Sequence, residues 1–389
     1  MKIVDLQVIP FLVPRRIFDY GEILPETKIV QTVTKIVTDE GAEGYYFGGN
    51  IELEQEGGLS TEQRTFLKER IKPLVLGKDP FDREKFWHWM WVANMPENLL
   101  SVLDMALWDL QARAFGLPIH KLLGGCRDKV KAYASTWHSI GEPEVYAQHA
   151  LECKEKGYKA YKIHPFYHFQ DPITGKPDFG RPSPIDQQIA TCRLVRQAVG
   201  ADMVLMYDPY GTYRNYEDAL RVGRVLEELN FYWYEHPMSE DRVGAYIKLA
   251  AELEIPIISP EIKPGSIYTR ADWILRGASD MSRLDVTRGG ITGCHKLAAI
   301  CEAFGIKMEL DCGGFGSLQV LGATSEDVCE YYERGLLAPG LDHETPPPYW
   351  DAICDPLDSD GYVRVPREPG MGYKIIWDYI NDNLVKDID

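Results

Sequence analysis

The sequence has no C-x-x-C pair, no apolar run long enough to cross a bilayer and no surplus of positive charge. Each absence closes off a class of function. The eight cysteines (Cys126, Cys153, Cys192, Cys294, Cys301, Cys312, Cys329 and Cys354) lie scattered through 389 residues. That spacing offers no thiolate zinc site, and a chain of this size needs no disulfide scaffold. Reduced thiols and a cytoplasmic setting are the expectation. No stretch approaches the roughly 18 apolar residues of a transmembrane helix. The opening "MKIVDLQVIPFLVPRR" is apolar, but Asp5 and Gln7 interrupt it at strand spacing. It also lacks a charged leader and a small-residue cleavage site, so it does not read as a signal peptide. The 59 acidic residues outnumber the 42 basic ones, for a net charge of −17. Such a surface repels phosphate backbones and anionic lipid, so nucleic acid and membranes are not expected partners. An anionic ligand would need a locally concentrated cation.

What is present is 45% hydrophobic residues, enough for more than one domain at about 100–200 residues each. Residues 1–50 alternate like antiparallel strands in "KIVDLQVIPFLV", "KIVQTVTKIVTDEG" and "AEGYYFGGN". Helical patterns follow, "TEQRTFLKERIKPLVLG" with a capping threonine and "PENLLSVLDMALWDLQARAFGLP" ending at a Gly/Pro stop. Residues 1–125 therefore predict an α+β domain. From 126 to 345, short apolar runs alternate with amphipathic helical patterns. Buried strands alternating with helices predict a parallel sheet, here an α/β fold of the (β/α)₈ barrel type with its active site at the C-terminal strand ends. A doubly wound open sheet is the alternative, but it would want a G-x-G-x-x-G turn after its first strand, and none stands there. Residues 346–389 predict a strand–turn–strand tail packing back on the first domain. "PFYHFQDPITGKPDFGRPSP", residues 165–184, lies outside the rhythm and reads as a surface loop or a lid.

Five successive strands end in a carboxylate: Asp208, Glu235, Glu261, Asp285 and Asp311, at gaps of 27, 26, 24 and 26 residues. In a barrel those ends converge on one mouth. Carboxylates gathered without balancing cations repel, and all-oxygen ligation suits a hard divalent ion, Mg²⁺ first among them. On an earlier strand, "KAYKIHP" sets Lys162 and His164 two residues apart, pointing the same way. A Lys–His pair near a metal is a candidate general base.

At these residues the sequence resembles the enolase superfamily in its mandelate racemase branch. The likeness runs through "VTDEGAEGYYFGG", "SVLDMALWDLQARAFGLPIHKLLGG", "GYKAYKIH", "DVTRGGITG" and "DGYVRVPREPGMGY", in the expected order along nearly the whole chain. It implies a capping domain on a modified TIM barrel, with Asp208, Glu235 and Glu261 binding Mg²⁺. The ion would hold a substrate carboxylate and stabilise the enediolate left when a base removes the α-proton. Two departures stand out. The branch carries Lys-x-Lys on the second barrel strand, where this chain has Lys162 and His164. It also carries a seventh-strand His paired with the sixth-strand Asp; Asp285 is present, but Asp311 stands in place of the His.

The expectation is a Mg²⁺-dependent dehydratase that turns a sugar acid into a 2-keto-3-deoxy acid, because a dehydratase works with a base on one face. Lys162 and His164 form that face, and Lys162 beside His164 favours its neutral form. Tyr210, His164 or Glu330, near the eighth-strand acid position, would protonate the leaving hydroxyl. Arg16, Tyr20, Asn50, Tyr167 and His168 are candidate substrate-binding side chains. A sugar-acid epimerase or cycloisomerase, with Asp311 as acid or base, is the alternative within the fold. A catalytically silent metal and ligand binder is the alternative outside it. A small carboxylate is the expected substrate and a homo-oligomer the expected assembly.

Overall fold

The computed structural model describes residues 1–19, 21–49, 57–165, 169–170, 177–178 and 184–385. Alternation in the first fifty residues produces an antiparallel sheet of β1 (Ile3–Arg15), β2 (Thr27–Thr38) and β3 (Glu43–Phe47), with β2 in the centre. Its inner face buries Phe11, Val33 and Ile36 completely. The helical segment that follows starts one residue before its threonine. Ser60 accepts from the Gln63 N–H while the Gln63 side chain accepts from the Ser60 N–H, a reciprocal cap. Two longer helices come next, α1 (Arg83–Val92) and α2 (Glu97–Phe115).

α2 is buried from Asn98 to Ala112 because it is wedged between sheet and barrel. A Cβ on Gly44 would fall 2.3 Å from the Ala106 carbonyl, so only glycine lets α2 lie this close to β3. On its other side, Ser101 donates to the Thr287 carbonyl at 2.6 Å, and Asp104 accepts the Thr292 N–H at 2.9 Å. These bonds fix the first sheet over the C-terminal end of the barrel.

The barrel strands are β4 (Lys129–Thr136), β5 (Ala160–Ile163), β6 (Val204–Tyr207), β7 (Tyr234–Glu235), β8 (Ile257–Ile258), β9 (Met281–Asp285), β10 (Lys307–Asp311) and β11 (Tyr331–Leu337). They pair in parallel in chain order, and β11 pairs with β4. Helices α3 (Pro143–Glu155), α4 (Ile185–Val199), α5 (Tyr216–Glu228), α6 (Val243–Glu252), α7 (Ser266–Arg276), α8 (Val286–Phe304) and α9 (Phe315–Ala323) alternate with them.

The barrel is nearly closed. Between β10 and β11 side chains replace a backbone ladder. The Glu309 carboxylate of β10 accepts the N–H groups of Glu330 and Tyr331, each at 3.0 Å. Glu333 of β11 accepts the Cys312 N–H at 3.0 Å. Inside, a plug of Tyr133, Ala160, Met206, Trp233, Ile258, Met281 and Tyr331 fills the lower half. The carboxylates Asp208, Glu235 and Glu261 therefore stand above this plug, toward the C-terminal mouth.

The tail touches both parts of the molecule. β12 (Tyr362–Arg364) pairs antiparallel with β4. α10 (Trp377–Asp382) leads to Asn383, whose carbonyl accepts the Leu12 N–H of β1 at 2.9 Å. Among the described residues no helix is long and apolar enough to cross a membrane.

Candidate active site

The mouth gathers the strand-end carboxylates. Asp208, Glu235 and Glu261 are buried there at the ends of β6, β7 and β8. Two overlapping sets of side chains bring their donor atoms within 4.8 Å of one another: Asp208, His236 and Glu261, and Glu235, Glu261 and Asp311. Glu261 belongs to both.

Lys162 and His164 of the second strand point into this cluster. The Lys162 ammonium lies 2.9 Å from Glu333, 3.1 Å from Glu235 and 3.8 Å from Asp208. Burial and the neighbouring Arg283 press its pKa down, but the Glu235 and Glu333 charges win and hold it well above the ordinary lysine value. His164 bonds through Nδ1 to the Thr136 carbonyl at 2.6 Å and through Nε2 to Asp208 at 2.9 Å. A carbonyl and an ionised carboxylate only accept, so both ring nitrogens carry protons in this arrangement. The charges agree with that geometry. Burial lowers the His164 pKa, yet the charge and hydrogen bond of Asp208 raise it above the ordinary imidazole value. Burial likewise opposes ionisation of Asp208, while His164 brings it down to about 2. The neutral form expected from Lys162 alone is thus corrected, because Asp208 is the closer partner.

Three residues of this layer are not apparent from strand ends alone. Arg283, fully buried on β9, contacts Glu235 at 2.5 Å, Asp311 at 2.7 Å and Glu333 at 2.8 Å. It lies two residues before Asp285, and that same-face spacing was the available signal. Glu333 sits in the middle of β11 and shares the interior with Lys162 and Arg283. His236 follows Glu235, so strand alternation would turn it away. Its backbone instead adopts φ 38, and Nδ1 meets Glu261 at 2.8 Å. Burial lowers the His236 pKa, but the hydrogen bond and charge of Glu261 raise it to about 9.

Other expected residues are placed differently. Glu330 is not at the mouth. It precedes β11 and lies at the opposite end of the barrel, bonded to Lys131 at 3.2 Å, Lys307 at 2.7 Å and Tyr232 at 2.7 Å. The likeness to the eighth-strand acid position pointed to Glu330, but the inward acid on that strand is Glu333, three residues on. Asp311 is not a bare carboxylate, since Arg283 holds it; burial pushes its pKa well up against that pull. Asp285 caps α8 through the Arg288 N–H at 2.7 Å and pairs with the Arg288 guanidinium at 3.1 Å. Tyr210 is half exposed, with its ring edge-on to His236 at 5.6 Å and its N–H donated to Asp208 at 2.7 Å. Arg16 pairs with Glu26 at 3.3 Å and lines a separate cavity of about 540 Å³, whose walls include none of the clustered carboxylates. Tyr20, Asn50, Tyr167, His168 and most of the 165–184 stretch lie outside the described residues.

A divalent cation fits this donor set. Five buried or half-buried carboxylates, Asp208, Glu235, Glu261, Asp311 and Glu333, face two permanent cations, Lys162 and Arg283. Of these two cations the sequence pointed to Lys162, on the second barrel strand, and not to Arg283. The structure supplies two and still leaves the carboxylates in excess, which favours a hard divalent ion with mostly oxygen ligands. Either of the two overlapping sets, Asp208, His236 and Glu261 or Glu235, Glu261 and Asp311, could hold it, and Glu261 is common to both.

Comparison with known proteins places this geometry. Residues 145–379 match the family described as enolase C-terminal domain-like, and residues 26–124 match the mandelate racemase / muconate lactonizing enzyme N-terminal domain. A D-gluconate dehydratase of Thermoproteus tenax is 31% identical over 77% of this chain, a match that spans 60% of that protein. An arabinonate dehydratase of Saccharolobus solfataricus is 27% identical over 90% of both chains. The solved structure of a D-glucarate dehydratase from Agrobacterium tumefaciens, complexed with magnesium, is 34% identical and covers 99% of this chain and 100% of its own, with a TM-score of 0.88. With both domains matched, this chain belongs to the mandelate racemase / muconate lactonizing branch of the enolase superfamily.

Proposed function

We propose that the protein is a Mg²⁺-dependent dehydratase of a sugar acid, converting it to a 2-keto-3-deoxy acid. The observation that carries the reading is the asymmetry of the mouth. Lys162 and His164 stand on the second strand, and across the barrel Arg283 and Arg288 on and after the sixth are each tied to an aspartate. A guanidinium does not take a proton from carbon. One face can act as a base and the other can bind. The dehydratase relatives support the reading further.

When bound by Asp208, Glu235 and Glu261, the cation supplies the positive charge that makes an α-proton beside a carboxylate removable. The base is His164. Lys162 is held protonated by its carboxylate partners and offsets part of the layer's negative charge. His164 is fixed by its Nδ1 bond to the Thr136 carbonyl, so Nε2 is the nitrogen that moves the proton. With the Asp208 charge taken up by the ion it would hold, the pull that keeps the Nε2 proton in place would weaken, and His164 would release that proton to solvent and stand as a neutral base. His164 then takes the α-proton. It returns a proton to the leaving β-hydroxyl, so the C–H and C–O bonds break, water departs and the enol becomes the 2-keto acid.

The test is a panel of aldonic and aldaric acids incubated with the protein and Mg²⁺, followed by detection of 2-keto acids. A 2-keto-3-deoxy product from one stereochemical series is expected. Solvent deuterium entering the α-position of both epimers without 2-keto acid would replace this reading with epimerisation.

A further inference from the structure

Over the end of β10 a void of about 60 Å³ lies between the first sheet and the barrel, lined among others by Tyr46, Gly49, Thr287, Gly313, Gly314 and Phe315. Two of its walls are polar and lack partners. Tyr46 is 6% exposed, and its hydroxyl has no hydrogen-bond partner among the described residues. α9 begins at Gly314 (φ 112, ψ 175) with no side chain capping it. Among the described residues no side chain takes up its first-turn N–H groups, which lie at the positive end of the helix.

The void borders the carboxylate mouth, because its wall residues Gly313 and Gly314 follow the strand-end Asp311, and its wall residue Thr287 lies two residues after the strand-end Asp285. The two neighbouring carboxylates are already engaged. Asp285 is tied to Arg288 and the start of α8, and Asp311 to Arg283. Arg288 follows the wall residue Thr287, and its guanidinium lies on Asp285. Its Nε pairs with Asp285, its Nη1 reaches the Ile262 carbonyl at 3.4 Å, and its Nη2 makes no hydrogen bond among the described residues. A negative group entering here meets donors and no bare carboxylate.

We propose that this void receives the far carboxylate of a dicarboxylic sugar acid, and so selects aldaric over aldonic acids. The inference rests on the sugar-acid reading and deepens it. Space for only one small group, with donors on two sides, fits a carboxylate better than the longer end of a bulky chain. An end hydroxyl would leave the helix dipole uncompensated.

The test uses the full-length protein with Mg²⁺ and a matched pair of six-carbon ligands, a 3-deoxy-aldaric acid and the corresponding 3-deoxy-aldonic acid. Neither can lose a β-hydroxyl, so calorimetry reads binding alone. The wild type is expected to favour the diacid at least tenfold. Tyr46→Phe, nearly isosteric, should reduce diacid affinity about fivefold and leave the monoacid within twofold. Thr287→Glu, which sets a carboxylate in the void, should abolish the preference. Equal affinities for the two acids in the wild type, or equal losses for both in Tyr46→Phe, would overturn the inference. Separately, the turnover panel decides the dehydratase reading: no 2-keto acid from any member sinks that reading, while the binding ratio still decides the void.

Discussion

The two ends of the barrel handle charge in opposite ways. At the lower rim Lys131 and Lys307 meet Glu326 and Glu330, two cations for two anions, all partly open to water. At the mouth five carboxylates crowd around Lys162 and Arg283, sealed from water and short of cations. The lower cluster adds little beyond ordinary surface pairing. The upper one keeps an imbalance that only a ligand relieves, and buried charge of that kind is retained where it does chemistry. The difference shows that a carboxylate at a strand end carries functional weight only where burial removes the alternative of water.

The comparison can be broken most sharply at the base. His164→Asn keeps polarity but cannot accept the proton, so turnover and α-deuterium exchange should fall about 10²–10⁴-fold, with Mg²⁺ affinity by calorimetry within a few-fold of wild type. A loss confined to Mg²⁺ binding would remove His164 from the chemistry.

Next come the counter-cations. Arg283→Met leaves Glu235, Asp311 and Glu333 without a shared partner and should cost about 3–5 kcal/mol in denaturant unfolding without metal. Lys307→Met at the lower rim should cost under about 1 kcal/mol. Similar losses for the two would erase the contrast drawn here.

Metal should stabilise one end only. Mg²⁺ at about a hundred times its Kd should add about 2.7 kcal/mol, seen as a raised Tm. Asp208→Asn should abolish that gain, and Glu330→Gln should retain it. A Tm rise that survives Asp208→Asn would move the ion elsewhere.

The smallest effect lies in pH. In the metal-free protein Asp208 is lowered from 3.8 to about 2, so its contribution is present above about 3.8 and lost as pH falls toward 2. His164 is raised above 6.5, so its contribution is present below about 6.5 and lost as pH rises through its folded value. The Tm difference between wild type and His164→Asn should therefore be largest near pH 4–6. A difference that is flat across pH 3–9 would mean that the pair carries no net charge coupling.

Much of this was legible in the chain. Period-2 alternation marked the first sheet, strand–helix alternation marked the barrel, and Asp208, Glu235 and Glu261 stood at intervals of one βα unit. Arg283 was hidden because an arginine inside "MSRLD" reads as part of a strand until the barrel closes around it. Glu330 was misplaced because β11 starts one residue after it. His236 was missed because its left-handed backbone reverses the direction that alternation assigns. Two of these three depend on where a strand begins or turns, a difference of one or two residues that tertiary packing sets.

The seam between β10 and β11 has a consequence for motion. Every other neighbouring pair in the barrel is joined by backbone ladder bonds, but here Glu309 and Glu333 do most of the joining, beside one backbone bond from the Met308 N–H to the Val328 carbonyl ahead of β11. Side-chain closure can open without disturbing a strand ladder, so amide protons of Cys312, Glu330 and Tyr331 should exchange ahead of those in β5 and β6. Glu333 also holds Lys162 and Arg283, which makes the hinge line of the barrel and the floor of its active site the same side chain.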